Sequence, residues 1–259
     1  MEQQSPKVKS ADRVLDILEL FTEEKDSYNL TEIAKILSMP PSSTYLLLQN
    51  MLSRGYLETD RTGKQFSIGY KLFEIRNQYM KSTSLTREFF RVAEKMVDDL
   101  NETIFLGIRS GDKVIYIAEK QNSQPLRFSS NVGSVLPLHG SASGKILISR
   151  ISEEELHGIY PEERLLAFTN ETISTLTLLK GELEKVREEE IAYNLGESVK
   201  GVHCIAGPVW DREGGIVASV SISIPSIRIT DDLWENSHYW VKRAGREISN
   251  KVYLQNRED

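Results

Sequence analysis

The chain has 259 residues, 38 acidic and 32 basic side chains, a formal net charge of −6 and a single cysteine. At 39% hydrophobic and 27% charged it has the composition of a globular protein with room for one large or two modest domains. A run of about 18 apolar residues is absent, the N-terminus MEQQSPKVKSADR has no apolar signal core, and lone Cys204 makes no intrachain disulfide, so a cytoplasmic protein with no membrane partner is expected. The acidic balance argues against non-specific nucleic-acid binding by the whole chain, but not against a small DNA-binding module inside it.

Residues 1–9 read as a tail. SADRVLDILELFTEE then places Val14, Leu15, Ile17, Leu18 and Phe21 on one helical face, with Ser10 as the expected N-cap. In LTEIAKILSMPPSSTYLLLQNMLSRGYLE, Thr31 is expected to cap a short helix carrying Ile33, Ala34 and Leu37. Pro40 and Pro41 force that helix to end by Ser38. A second helix starts near Pro41 and stops at Gly55. Next, YLETDRTGKQFSIG reads as two strands around a turn at Asp60 to Lys64. Three helices followed by a hairpin predict a winged helix-turn-helix over residues 10–69.

On a helical wheel Leu47, Leu48, Met51 and Leu52 face inward with Thr44 beside them. Ser42, Ser43, Tyr45, Gln49, Asn50 and Ser53 face outward. Such short polar and aromatic groups suit phosphate and base contacts in a major groove. Arg61 and Lys64 in the hairpin are placed to reach phosphates or the minor groove. From Ser42 to Lys71 four basic and two acidic residues leave a net +2. The alternative is a winged helix used for protein contacts.

A linker helix is expected over 70–83 and another from Ser84 to Asn101. TIFLGIRSGDKVIYIAEKQ reads as a β-hairpin about Ser-Gly-Asp, and LRFSSNVGSVLPL continues the sheet. Helices follow from about Ser141, after Ser152, and from Thr175 to Glu190. GVHCIAGPVWDREGGIVASVSISI is a second hairpin turning at Asp211 to Gly215, and a helix from Thr230 to Leu254 closes the chain. The fold class is α+β in two domains. The second, over 84–254, has an antiparallel sheet with flanking helices and is large enough for a small-molecule cavity.

Within it, LPLHGSASGKI invites a phosphate-loop reading that its spacing denies. Only Ser141, Ala142 and Ser143 separate Gly140 from Gly144, and Ile146 rather than Ser or Thr follows Lys145. Two readings remain: an anion site on free helix N–H groups, or a tightly packed helix start. Catalysis by a Cys–His pair is disfavoured, because His203 and Cys204 are strand neighbours and point to opposite faces. A metal site from His139, His203 and Cys204 lacks a recognisable ligand spacing. No cofactor is expected.

Taken together, SADRVLDILELF, LTEIAKILSMPPSSTYLLLQNMLSRGYLE, LPLHGSASGKILIS and GVHCIAGPVWDREGGIVASVSISIP followed by RIT resemble the IclR family of bacterial transcriptional regulators, over about residues 10–254. The resemblance implies a winged helix-turn-helix joined to a GAF-like effector domain. It also implies a dimer or dimer of dimers, a (pseudo)palindromic double-stranded DNA operator, a small effector that is commonly a carboxylate, and no enzymatic activity. The implied DNA-binding set is Thr31, Ser42, Ser43, Tyr45, Leu46, Gln49, Arg61 and Lys64. The implied effector lining is Phe128, Leu136, Ala142, Ser143, Asn194, Val202, Cys204, Ser221 and Ser223. Hydroxyls and a helix N-terminus suit a carboxylate, and Phe128, Leu136 and Val202 supply an apolar wall. Two departures stand out. Leu46 occupies a position where many relatives have Arg. Asn194 stands where many have Asp, followed by Gly196 and Glu197 instead of two acids. The lost charge at Asn194 is expected to favour anions.

Overall fold

The computed structural model describes residues 8–22, 25–82, 84–125 and 131–254, with backbone alone at 76, 77, 79–82 and 84. The chain divides into two compact units, residues 1–82 and 83–259.

The first unit holds α1 (Lys9–Leu20), β1 (Tyr28–Asn29), α2 (Leu30–Ile36), α3 (Pro41–Ser53), β2 (Leu57–Thr59), β3 (Gln65–Ile68) and α4 (Lys71–Ser82). Ile17, Ile33, Leu48, Met51, Leu57 and Phe66 close one core. Two expected caps are corrected. α1 begins at Lys9 with no side-chain cap, so Ser10 lies inside its first turn. Asn29, not Thr31, caps α2: its Oδ1 accepts from the Glu32 N–H at 3.0 Å, and Glu32 Oε2 accepts from the Asn29 N–H at 2.8 Å. Glu32 stands three residues after Asn29 and makes this capping box reciprocal, whereas Ala34 stands three after Thr31 and cannot. Pro41 opens α3 at its first position, where no N–H is required. Gly55 ends it at φ +75°, and an added Cβ would meet the Tyr70 ring at 2.8 Å. The hairpin gains a third strand that the sequence reading lacked, for a sheet order β1-β3-β2.

The second unit contains α5 (Ser84–Leu100), β4 (Thr103–Ser110), β5 (Lys113–Lys120), β6 (Val135–Pro137), α6 (Ala142–Ile148), α7 (Glu153–Ile159), α8 (Leu176–Glu189), β7 (Ala192–Leu195), β8 (Val202–Trp210), β9 (Ile216–Pro225) and α9 (Asp231–Ser249). The six strands are antiparallel in the order β6-β5-β4-β9-β8-β7. Alternation along β8 sorts the helices. Cys204 and Ala206 pack with Ala142 and Ile146 of α6, while the backbone of Gly207 abuts Val241 of α9. The closing helix is shorter than expected: α9 ends at Ser249 and residues Asn250–Leu254 form a π-helical turn. No helix among the described residues is long and apolar enough to cross a membrane.

Candidate functional site

On the first unit, α3 exposes Ser42, Tyr45, Leu46 and Gln49, with Leu46 68% exposed; Ser43 is half-buried rather than fully outward. Thr31, Tyr45, Gln49 and Lys64 line one groove of about 500 Å³ between the start of α2, α3 and the hairpin. Ser42, Leu46 and Arg61 lie outside that lining. The hairpin tip is pinned by Asp60. Its Oδ1 accepts from the Lys64 and Gln65 N–H groups at 3.0 and 3.1 Å, and its Oδ2 from the Thr62 hydroxyl at 2.7 Å. The Thr62 hydrogen bond, followed by those from the backbone, holds the Asp60 carboxyl down at about 2. Arg61 and Lys64 project from this fixed turn into solvent.

In the second unit a small, narrow cavity lies between α6, β5, β6, β7 and β8. It holds about 10 Å³, room for a single water. Of the implied effector set, Leu136, Ala142, Asn194, Val202 and Cys204 line it. Ser143, Ser221 and Ser223 form a buried layer outside the lining. Ser143 Oγ donates to Ser221 Oγ at 3.0 Å, and Ser223 Oγ lies 3.1 Å from Cys204 Sγ. Phe128 falls outside the described residues. The sequence reading missed Tyr116, Ser141, Ser198 and Val199, which complete the lining. Burial pushes the Tyr116 phenol up to about 12, against the opposing influence of the nearby Ser143 and Ser221 hydroxyls. A tyrosine at a buried position of the alternating run KVIYIAEK was a legible signal, since a buried hydroxyl needs partners.

The helix start is less open than expected. Ser141 Oγ accepts from the Gly144 N–H at 3.1 Å and donates to Pro137 O at 2.8 Å, so one of the free N–H groups is already capped. Gly144 is required by packing: an added Cβ would sit 2.2 Å from the Leu138 carbonyl oxygen. Asn194 pairs with Cys204 across β7 and β8, which turns its amide toward α6. The amide is fully committed. Nδ2 donates to Gly140 O at 2.9 Å and Ser198 Oγ at 2.7 Å; Oδ1 accepts from the Gly196 and Glu197 N–H groups at 3.1 and 2.8 Å.

Lys145 points away from this cavity. Fully buried, it donates to Glu197 Oε1 at 2.7 Å and Tyr193 O at 2.9 Å. Cys204 is buried and its thiol pushed up to about 11 by desolvation, so it is a poor nucleophile. His139 Nε2 lies 2.8 Å from Leu166 O, and burial lowers its pKa. Among the described residues no group of three or more His, Cys, Asp or Glu side chains is placed to hold a metal ion.

The chain matches two family descriptions: "IclR helix-turn-helix domain" over residues 10–61 and "Bacterial transcriptional regulator IclR C-terminal" over residues 77–250. It is similar to the HTH-type transcriptional regulator KdgR of Dickeya chrysanthemi, with 31% identity over 97% of this chain and 82% of the relative. It is also similar to the acetate operon repressor of Salmonella typhimurium, with 30% identity over 93% and 89%. An IclR homologue from Microbacterium hydrocarbonoxydans, solved in complex with 4-hydroxybenzoate, has the same fold at TM-score 0.82 and 19% identity, over 94% of this chain and 99% of that one. The chain therefore belongs to the IclR family: it is a DNA-binding transcriptional regulator with an effector-binding C-terminal domain, not an enzyme.

Proposed function

We propose that this regulator acts in the cytoplasm as a dimer or dimer of dimers on a (pseudo)palindromic operator, and that a small carboxylate in the α6 cavity tunes its operator affinity. Residues 10–69 are read as the DNA-binding domain, 70–83 as the linker and 84–254 as the effector domain. The α3 face with Thr31, Arg61 and Lys64 would meet the DNA. Exposed Leu46 suits contact with thymine methyls in place of an arginine's guanine contact.

One observation carries the effector reading: among the described residues the cavity is lined by no carboxylate, and it is backed by the hydroxyls of Tyr116, Ser143 and Ser221. An anion there would meet donors and no fixed negative charge. The cavity as it stands holds only one water, so a carboxylate must displace a wall. The 196–201 loop, held by side-chain bonds from Asn194, Thr169 and Thr172, is the segment whose bonds would change. A closed and an opened form are the two states that linkage needs, with a typical coupling of about 1–3 kcal/mol. Repression is the favoured sign, in keeping with the repressor named among the relatives; an aromatic carboxylate is the ligand of the Microbacterium homologue.

The small volume favours a second reading, in which the C-terminal domain serves mainly assembly and answers to no carboxylate in this cavity. Selection of bound sequences from a random duplex pool, with and without a panel of small carboxylates, separates them. A palindromic motif whose enrichment shifts with one acid supports the carboxylate reading. A motif indifferent to every acid supports the second, and no enrichment at all rejects the operator reading.

A further inference from the structure

A second cavity, of about 440 Å³, lies on the other side of the strand that carries Asn194, between α8 and β7. Its size is that of a small-molecule site. Val186 and Ile191 give it an apolar wall. Four carboxylates, Glu171, Glu182, Glu189 and Glu197, face two ammonium groups, Lys145 and Lys185. Lys145 is already committed: it bonds Glu197 Oε1 at 2.7 Å and Tyr193 O at 2.9 Å, and lies 3.4 Å from Glu182 Oε1.

Glu197 is the residue that turns an acidic groove into a site. Its side chain is 9% exposed and lines the cavity, yet its Oε2 has no hydrogen-bond partner among the described residues. A buried carboxylate oxygen without a donor is costly and marks a place where a donor is wanted. Burial raises the Glu197 pKa despite the opposing pull of Lys145 and of a backbone hydrogen bond at Leu195. No three carboxylates among the described residues are placed to ligate a metal ion. An ammonium on a flexible chain has no such demand, since it can satisfy carboxylates one at a time.

We propose that this cavity binds a primary aliphatic amine or diamine, with an ammonium group donating to Glu197, the alkyl chain lying on Val186 and Ile191, and the far end reaching the exposed carboxylates Glu171 and Glu189. The carboxylate cavity and this one share a short segment: Asn194 serves the first, Tyr193 and Glu197 the second. The amine site does not depend on the carboxylate reading and stands or falls separately.

The test is calorimetric titration of the full-length protein with 1,4-diaminobutane and butylamine. Saturable binding is expected for the two amines, tighter for the diamine and weakened by salt. Glu197→Gln leaves buried Lys145 with only Glu182, 3.4 Å away, as anionic partner and endangers folding, so the rim variants carry the test. Glu171→Gln and Glu189→Gln are each expected to weaken diamine binding by about threefold, and together by about tenfold. No saturable amine binding, or diamine affinity unaltered in the double variant, would overturn the proposal.

Discussion

On the α3 surface, the side chains of Tyr45, Leu46 and Gln49 stand in solvent. Around the α6 cavity, Asn194, Ser141, Ser143 and Tyr116 are all tied to protein partners. The difference follows from what each region is proposed to meet. A surface read against DNA gains most from groups that owe nothing to the protein. A pocket that responds to a ligand must first hold a closed state for the ligand to displace. The DNA-facing surface should therefore tolerate substitution without loss of folding, and the pocket should not.

The largest expected effect is from Gly144→Ala, which drives a methyl against the Leu138 backbone. A loss of about 4 kcal/mol or more is expected in urea unfolding, while Ser42→Ala shifts stability by less than about 0.5 kcal/mol. A parental midpoint for the glycine variant would break the comparison. Next comes Lys145→Met, which strands Glu197 in the interior; about 3 kcal/mol should be lost by the same measurement.

On the DNA side, Tyr45→Ala should cost about 2 kcal/mol in specific binding and little in non-specific binding, with Ser43→Ala smaller because Ser43 is half-buried. Arg61→Ala should weaken both kinds and reduce the salt slope by about 1. If all three bind like the parent, the DNA-facing surface lies elsewhere.

Asn194→Asp sharpens the contrast further. It removes the donor to Gly140 O, so about 1 kcal/mol of stability should go, and carboxylate affinity should fall with the added charge. Unchanged carboxylate binding in a titration would sink that account of the departure from the family pattern.

The smallest effect is at Asp60, whose folded pKa of about 2 lies below its ordinary 3.8. A depressed carboxyl contributes stability that is complete above the ordinary value and is lost as pH falls through the folded one. The Lys64 and Gln65 amide resonances should accordingly shift near pH 2 rather than near pH 4, and Asp60→Asn should abolish the titration.

Much of the first unit was legible because its signals are local. Pro40 and Pro41, Gly55 and the 3.6-residue spacing of Leu48 and Met51 act within one or two turns. Even there the cap of α2 was misplaced by two residues, since Thr31 drew attention from the Asn29–Glu32 pair. Strand β1 was missed because two residues carry no period. In the second unit both hairpins were readable, but Ser198 and the commitment of Asn194 were not. Their partners lie far along the chain, or in a loop whose path no local pattern specifies.

By itself the sequence determined the order of elements, the family and which residues of β8 and β9 share a face, because these follow from backbone period and turn chemistry. Only the tertiary structure decided that the α6 cavity has room for a single water and that Lys145 serves a buried ion pair. Ser143 meets Ser221 from 78 residues away, and Lys145 meets Glu197 from 52. Such pairs are chosen by burial, where a polar group without a partner costs more than any local preference returns.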